Sequence, residues 1–193
     1  MPPKQKITRE EILQAAYELT LEKGCSSLSS RNVANAAGCS VQPVFTNFPS
    51  MDCLRREVYT YACQKCAEEV LDHSDESDMP TVLTLWMLDL AQHRPNLFEF
   101  LYLSDLSTYH IRSEEMLSLD NHRTMIRLIS ESYGLSWEDS VDLLIRSCIF
   151  LMGIGTIICV DKVDISQDLA LKLMRTTVED FVNGVRRRDA ASE

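Results

Sequence analysis

The residues best equipped for metal or redox chemistry are Cys63 and Cys66, three positions apart, with His73 two helical turns further on. Thiolate and imidazole are ordinary zinc ligands, and a C-x-x-C pair is a dithiol at redox spacing. Laid on one helix, the three side chains spread over three turns, which does not make a tetrahedral site. A cysteine-based metal or redox sensor therefore stands as an alternative reading, with no metal site assigned. Ser, His and acidic residues occur in no spacing that pairs a nucleophile with a base. Gly153-Ile154-Gly155 lacks the further glycine and the strand that complete a phosphate loop. Neither an enzyme nor a cofactor is expected. Hydrogen-bonding chemistry of a different kind gathers in SVQPVFTN, residues 40–47, where Gln42 carries a paired donor and acceptor between the hydroxyls of Ser40 and Thr46.

The elements that must position these groups read as helices throughout. Apolar residues recur at three and four, Gly is scarce, and no strand is expected. Thr8 and Glu11 form a capping-box pattern before Ile12, Ala15, Ala16 and Leu19, and Gly24 ends that first helix. A short helix follows Ser29 or Ser30, with Val33, Ala34 and Ala37 inward and Gly38 at its exit. Ser40 caps a third through about Thr46, where Pro43 is tolerated because first-turn amides lack partners. Ser50 caps a long helix from Met51 to about His73, and the acidic run at 74–78 reads as an exposed turn. Further helices are expected over about 80–92, 95–106, 113–132, from Ser136 to about Val160, and over 166–183.

Two short helices joined by a tight glycine turn, braced by a longer helix in front, have the layout of a helix-turn-helix. In that arrangement the N-terminal part of the second short helix lies in the major groove, which is wide enough to admit it. Any compact three-helix unit shares the spacing, so the layout alone leaves both readings open.

The residues go further. The segment from Ile7 to Val58 resembles the N-terminal domain of the TetR family of bacterial transcriptional regulators: Ile12, Leu13, Ala15, Ala16, Leu19 and Lys23-Gly24 in the first helix; Leu28, Arg31, Val33-Ala34 and Ala37-Gly38 in the second; Phe45, Phe48, Ser50 and Leu54 in the third and the entry to the fourth. The resemblance implies a DNA-binding regulator, with departures at expected contacts. Phe45 stands where the family usually has Tyr, Asn47 replaces a frequent His, and Met51 a common Lys, which lowers phosphate affinity and salt dependence. Gln42-Pro43 replaces a pair of usually small residues. Gln42 is the first choice for reading an adenine edge; Val41 suits a thymine methyl; Ser40 and Thr46 suit bases or phosphates; Lys4, Lys6, Arg9 and Arg31 suit phosphates. The plainer readings are core packing for Val41 and Phe45 and a solvated charge for Arg31. Val44 and Phe48 are assigned to the inward face.

The expected fold is all-α, about nine helices: a three-helix DNA-binding domain at 1–50, then an effector-binding and dimerisation domain at 51–193, with helix 51–73 connecting them. One short recognition helix reads too few bases to select a site, so a homodimer on a palindromic operator is expected. Its seam is placed on the last two helices, at Ile149, Met152, Gly153, Leu173, Thr177 and Phe181; in the resembled family those helices form a four-helix interface. Trp86, Phe98, Tyr102, Tyr109, Met116 and Met125 resemble the lining of a small-molecule effector pocket, and at helical spacing they read equally as plain core. The regulator is expected to be a repressor released by that effector. A helical protein-interaction scaffold without DNA binding is the remaining alternative.

Composition agrees with this division. The 193 residues are 45% hydrophobic, enough for an ordinary core. The net charge of −10 opposes a nucleic-acid partner until it is divided: residues 1–60 hold seven Lys/Arg against six Asp/Glu, and the remainder twelve against twenty-three. The acidity thus lies outside the proposed DNA-reading segment. Seven irregularly spaced cysteines suit free thiols in a reducing compartment, and the charged N-terminus lacks the apolar core of a signal peptide, so a cytoplasmic location is expected. The uncharged stretch 148–160 is too short to span a membrane and reads as a buried helix.

Overall fold

Thr8 accepts a hydrogen bond from the Glu11 amide while the Glu11 carboxylate accepts from the Thr8 amide, so the capping box expected from sequence opens the first helix, α1 (Arg9–Lys23). It buries Ile12, Ala15, Ala16 and Leu19 and stops at Gly24, whose φ of 75° favours glycine. The computed structural model describes residues 7–73, 78–105 and 120–191, all helix, turn or connection, with no strand among the described residues. After a 3₁₀ turn at Cys25–Ser27 come α2 (Ser30–Ala36), α3 (Val41–Asn47), α4 (Met51–Asp72), α5 (Met79–His93) and α6 (Pro95–Phe98). A π-type turn, Glu99–Leu103, follows, then α7 (Asp120–Tyr133), α8 (Trp137–Cys159) and α9 (Gln167–Ala190).

The chain divides into two compact units, one drawn from Met1–Lys65 and Asn96–Tyr109, the other from Cys66–Pro95 and His110–Glu193. In the first, α1, α2 and α3 pack together over a core that includes Ile12, Leu28, Val33, Val44, Phe48 and Leu54. The segment from Asn96 is tied into the same unit: the Asn96 amide donates to the carbonyls of Leu21 and Glu22 at the end of α1, each at 3.0 Å. Where one helix over 95–106 is expected, the structure has α6 followed by the wider π turn. Within that turn the Leu101 carbonyl accepts the Tyr59 hydroxyl at 3.0 Å.

In the second unit α5 and α7 pack against α8, and α9 packs on α5 and α8. Asp78, read from sequence as the end of an exposed acidic turn, is the N-cap of α5, accepting from the Thr81 amide. Two buried hydroxyls on these helices are satisfied by backbone: Thr84 donates to Pro80 and Ser140 to Ser136, both at 2.7 Å. α9 runs to Ala190, past the expected end near Asn183, because Val185 remains buried and the Arg188 guanidinium pairs with Asp139 at 2.7 Å. The turn between α8 and α9 places Lys162, not glycine, at a φ of 57°, and its ammonium donates to the Cys159 carbonyl at 2.6 Å.

By length and composition the whole of α8, 23 residues at a mean hydropathy of 1.9 over its best window, is long and apolar enough to cross a membrane, while the uncharged stretch 148–160 within it remains too short. The helix begins earlier, at Trp137, and carries Glu138, Asp139, Asp142 and Arg146 in its first half. Leu143, Leu144, Ser147, Leu151, Ile154 and Ile158 of this helix are buried, as expected of a core helix.

Candidate nucleic-acid interface

Ser29 caps α2 through the Asn32 amide, and the chain leaves α2 through Gly38 at a φ of 65°, with the Cys39 amide donating to the Ala34 carbonyl at 2.9 Å. That closure brings α3 directly after α2. Val44 and Phe48 are buried to 1% and 0% exposure and seat α3 on the unit's core. The opposite side carries Gln42, Phe45 and Thr46, all exposed, at the i, i+3, i+4 spacing of one helix face. Phe45 is 48% exposed, which removes core packing as its explanation. Val41, Pro43 and Asn47 are partly covered and flank that face.

The hydroxyl of Ser40 is in an unusual position. It is the N-cap of α3 yet makes no capping hydrogen bond, whereas Thr8, Ser29, Asp78, Ser136 and Ser166 each accept from the amide three residues on. The residue three beyond Ser40 is Pro43, which has no N–H to give. Ser40 is exposed, so its hydroxyl is open to another partner. Thr46 donates to the Gln42 carbonyl at 3.0 Å and the Asn47 amide to the Pro43 carbonyl at 2.9 Å, which fixes both side chains against their own helix.

The cations are placed less uniformly. Arg31 is exposed on α2. Arg9 has its side chain 44% exposed but is partnered within the unit: its guanidinium pairs with Glu57 and lies over the ring of Phe48. Sequence gave no hint of that pairing, since Glu57 is remote in the chain and on another helix. Met51 is the first residue of α4 and partly exposed. Lys4 and Lys6 lie outside the described residues.

A sequence profile of bacterial regulatory proteins of the tetR family matches residues 12–58, the segment that builds α1, α2, α3 and the start of α4. Over this segment the chain is similar to the tetR family. The match marks the segment as a helix-turn-helix DNA-binding domain of that type, with α3 the second of its two short helices. Solved structures with the same fold include a TetR-family member from Streptomyces coelicolor A3, with 19% identity, a TM-score of 0.59, and 87% of this chain and 96% of that one covered. The multidrug binding protein EbrR complexed with imidazole has 19% identity and a TM-score of 0.55, covering 87% and 88%. The flavonoid-responsive regulator FrrA has 17% identity and a TM-score of 0.52, covering 91% and 95%. No curated protein matches the chain. The likeness in fold to these structures extends beyond the profile's residues into the body.

The remaining candidate residues are distributed as follows. In the first unit Phe98 is buried and its ring centroid lies 5.2 Å from that of Tyr102. In the second, Met125 is buried, while Trp86 is partly exposed, donates its indole N–H to Glu69 at 3.0 Å and lies beneath the Arg94 guanidinium. Tyr109 and Met116 lie outside the described residues. Ile149, at 65% exposure, Gly153, Ile157 and Leu173 face outward on α8 and α9, with Met152, Thr177 and Phe181 partly covered. Burial pushes the Cys63 thiol up to about 12, so it stays protonated at neutral pH, the wrong state for a metal ligand or a nucleophile. The His73 ring contacts the Glu69 carbonyl at 2.7 Å, and among the described residues no three His, Cys, Asp or Glu side chains gather as a metal site.

Proposed function

We propose that this chain is a DNA-binding protein of the tetR family, a cytoplasmic homodimeric repressor released from a palindromic operator by a small-molecule effector. The observation that carries the reading is the exposed face of α3, Gln42, Phe45 and Thr46, held out by buried Val44 and Phe48. Residues 1–50 are the DNA-reading part and 51–193 the effector and dimer part, with α4 between them. Gln42 reads a base edge and Val41 a thymine methyl, while Ser40, Thr46 and Arg31 meet bases or phosphates. Pro43, Phe45, Asn47 and Met51 border the DNA, and Lys4 and Lys6 add charge from the N-terminal arm.

The dimer reading is supported by the outward apolar row of Ile149, Ile157, Leu169 and Leu173, which a monomer leaves in water. Effector release is supported by relatives in fold that are described as multidrug binding and flavonoid-responsive. Trp86 and Met125 in one unit, and Phe98 and Tyr102 in the other, are the residues to vary for effector contacts. An effector acts by favouring a dimer whose recognition helices miss their half-sites, and a hundredfold loss of operator affinity needs about 2.7 kcal/mol of differential binding.

Selection of source-genome fragments on the purified protein, followed by gel shift at increasing salt, tests the reading. A recovered site with two related half-sites about one helical turn apart, bound by two copies, is the expected result. Fragments that bind no better than random DNA refute operator recognition.

A further inference from the structure

The proposed recognition helix, α3, has seven residues, and two turns of helix do not hold a fixed orientation by themselves. Val44 and Phe48 supply the apolar part of its seat. The polar part comes from the start of α1. The Arg9 guanidinium lies 4.7 Å from the centroid of the Phe48 ring, at the C-terminal end of α3, and forms an ion pair with Glu57 on α4. The second oxygen of Glu57 accepts the thiol of Cys53, one turn earlier on α4, at 3.3 Å. One side chain from α1 thus touches the end of α3 and the first part of α4. Only a guanidinium meets both demands, offering a flat face to the ring and a fork of donors to the carboxylate.

We propose that Arg9 is a positioning residue for DNA reading, orienting α3 through Phe48 and Glu57, and that its charge is spent inside the domain instead of on a phosphate. Glu57 neutralises it there, so the pair adds no net attraction for the DNA backbone. The role runs counter to the sequence expectation that Arg9 anchors a phosphate. It rests on the reading of α3 as the recognition helix, and two measurements separate failure of one from failure of the other.

The first needs no DNA. In Arg9→Gln, backbone amides from Val44 to Phe48 exchange with deuterium at least about threefold faster than in the wild type, while those of α8 are unchanged. Unchanged exchange in α3 overturns the proposal. If exchange rises everywhere, Arg9→Lys, which keeps the charge pair and loses the flat stacking face, carries the same comparison.

The second uses the selected operator fragment. Arg9→Gln and Glu57→Gln each weaken operator binding by about tenfold, the scale of a cation–π contact joined to an ion pair, with the salt slope unchanged. A slope lowered by about one unit in Arg9→Gln, with equal loss on random DNA, makes Arg9 a phosphate contact and overturns the proposal. So does tighter, more salt-dependent binding by Glu57→Gln. If the wild type shifts no fragment, operator reading fails, and the exchange result still decides how α3 is held.

Discussion

Leu173 and Met174 are adjacent on α9, yet Leu173 is 43% exposed and Met174 only 1%. The same division runs along the helix. Ala170, Met174, Val178, Val182 and Val185 enter the core, while Leu169, Leu173, Thr177 and Phe181 form a second row beside them. One apolar stripe therefore serves two surfaces; in the second, Leu169 and Leu173 are exposed while Arg146 lies over the ring of Phe181. Leu173→Glu is expected to convert the proposed dimer to a monomer in sedimentation experiments and to leave helicity intact, because the substituted side chain already meets solvent in the protomer. A dimer that persists unchanged moves the seam elsewhere.

Gln42 projects from the exposed face of α3 with nothing else required of it by the fold. Gln42→Ala is expected to cost roughly 1–3 kcal/mol on the best operator and little on random DNA. Equal losses on the two exclude base readout by this residue.

Met51 starts α4, is partly exposed, and on the proposed reading borders the DNA backbone. Met51→Lys should tighten binding to every sequence and steepen the dependence of log K on log salt by about one unit. Measuring the slope across a salt titration decides whether position 51 faces phosphate.

The hydroxyls of Ser40 and Ser136 occupy the same cap position on different helices, and only Ser136 holds an amide. Ser136→Ala is expected to destabilise the protein by about 1 kcal/mol in urea unfolding. Ser40→Ala should stay within about 0.5 kcal/mol of the wild type and lower operator affinity. A full capping loss at Ser40 contradicts the assignment of its hydroxyl to DNA.

Burial raises the Cys63 thiol from an ordinary 9.0 to about 12, outweighing a hydrogen bond with Tyr59. Below about pH 9 the thiol is protonated whether the chain is folded or not, and stability is unaffected. Between about pH 9 and 12 the unfolded chain ionises first, so this thiol lowers stability as pH rises. Urea unfolding at pH 7 and at about pH 10.5 should show a larger alkaline loss for the wild type than for Cys63→Ala. Equal losses place Cys63 in contact with solvent.

Signals that act over three or four residues were readable along the chain. The Thr8 capping box, the glycine exits at Gly24 and Gly38, the inward Val33, Ala34, Val44 and Phe48, and the Ser136 cap all appear where the sequence puts them. Such features depend on local hydrogen bonding and helical periodicity, which sequence spacing encodes. Asp78 is exposed, as expected of the acidic run at 74–78, and it also caps α5, a role that composition leaves open until the following helix is placed.

By itself, then, the sequence determined an all-helical chain with a helix-turn-helix near its N-terminus and the residues available to read DNA from it. Tertiary structure decided which of those residues are free to do so. Arg9 is taken up by Glu57 and Phe48, contacts 48 and 39 positions away along the chain. Ser40 is released by Pro43, and only the helix boundaries show that the proline falls where the capping amide belongs. On α9, four-residue periodicity could not choose between two adjacent apolar rows; the packing of α5 and α8 against one of them did.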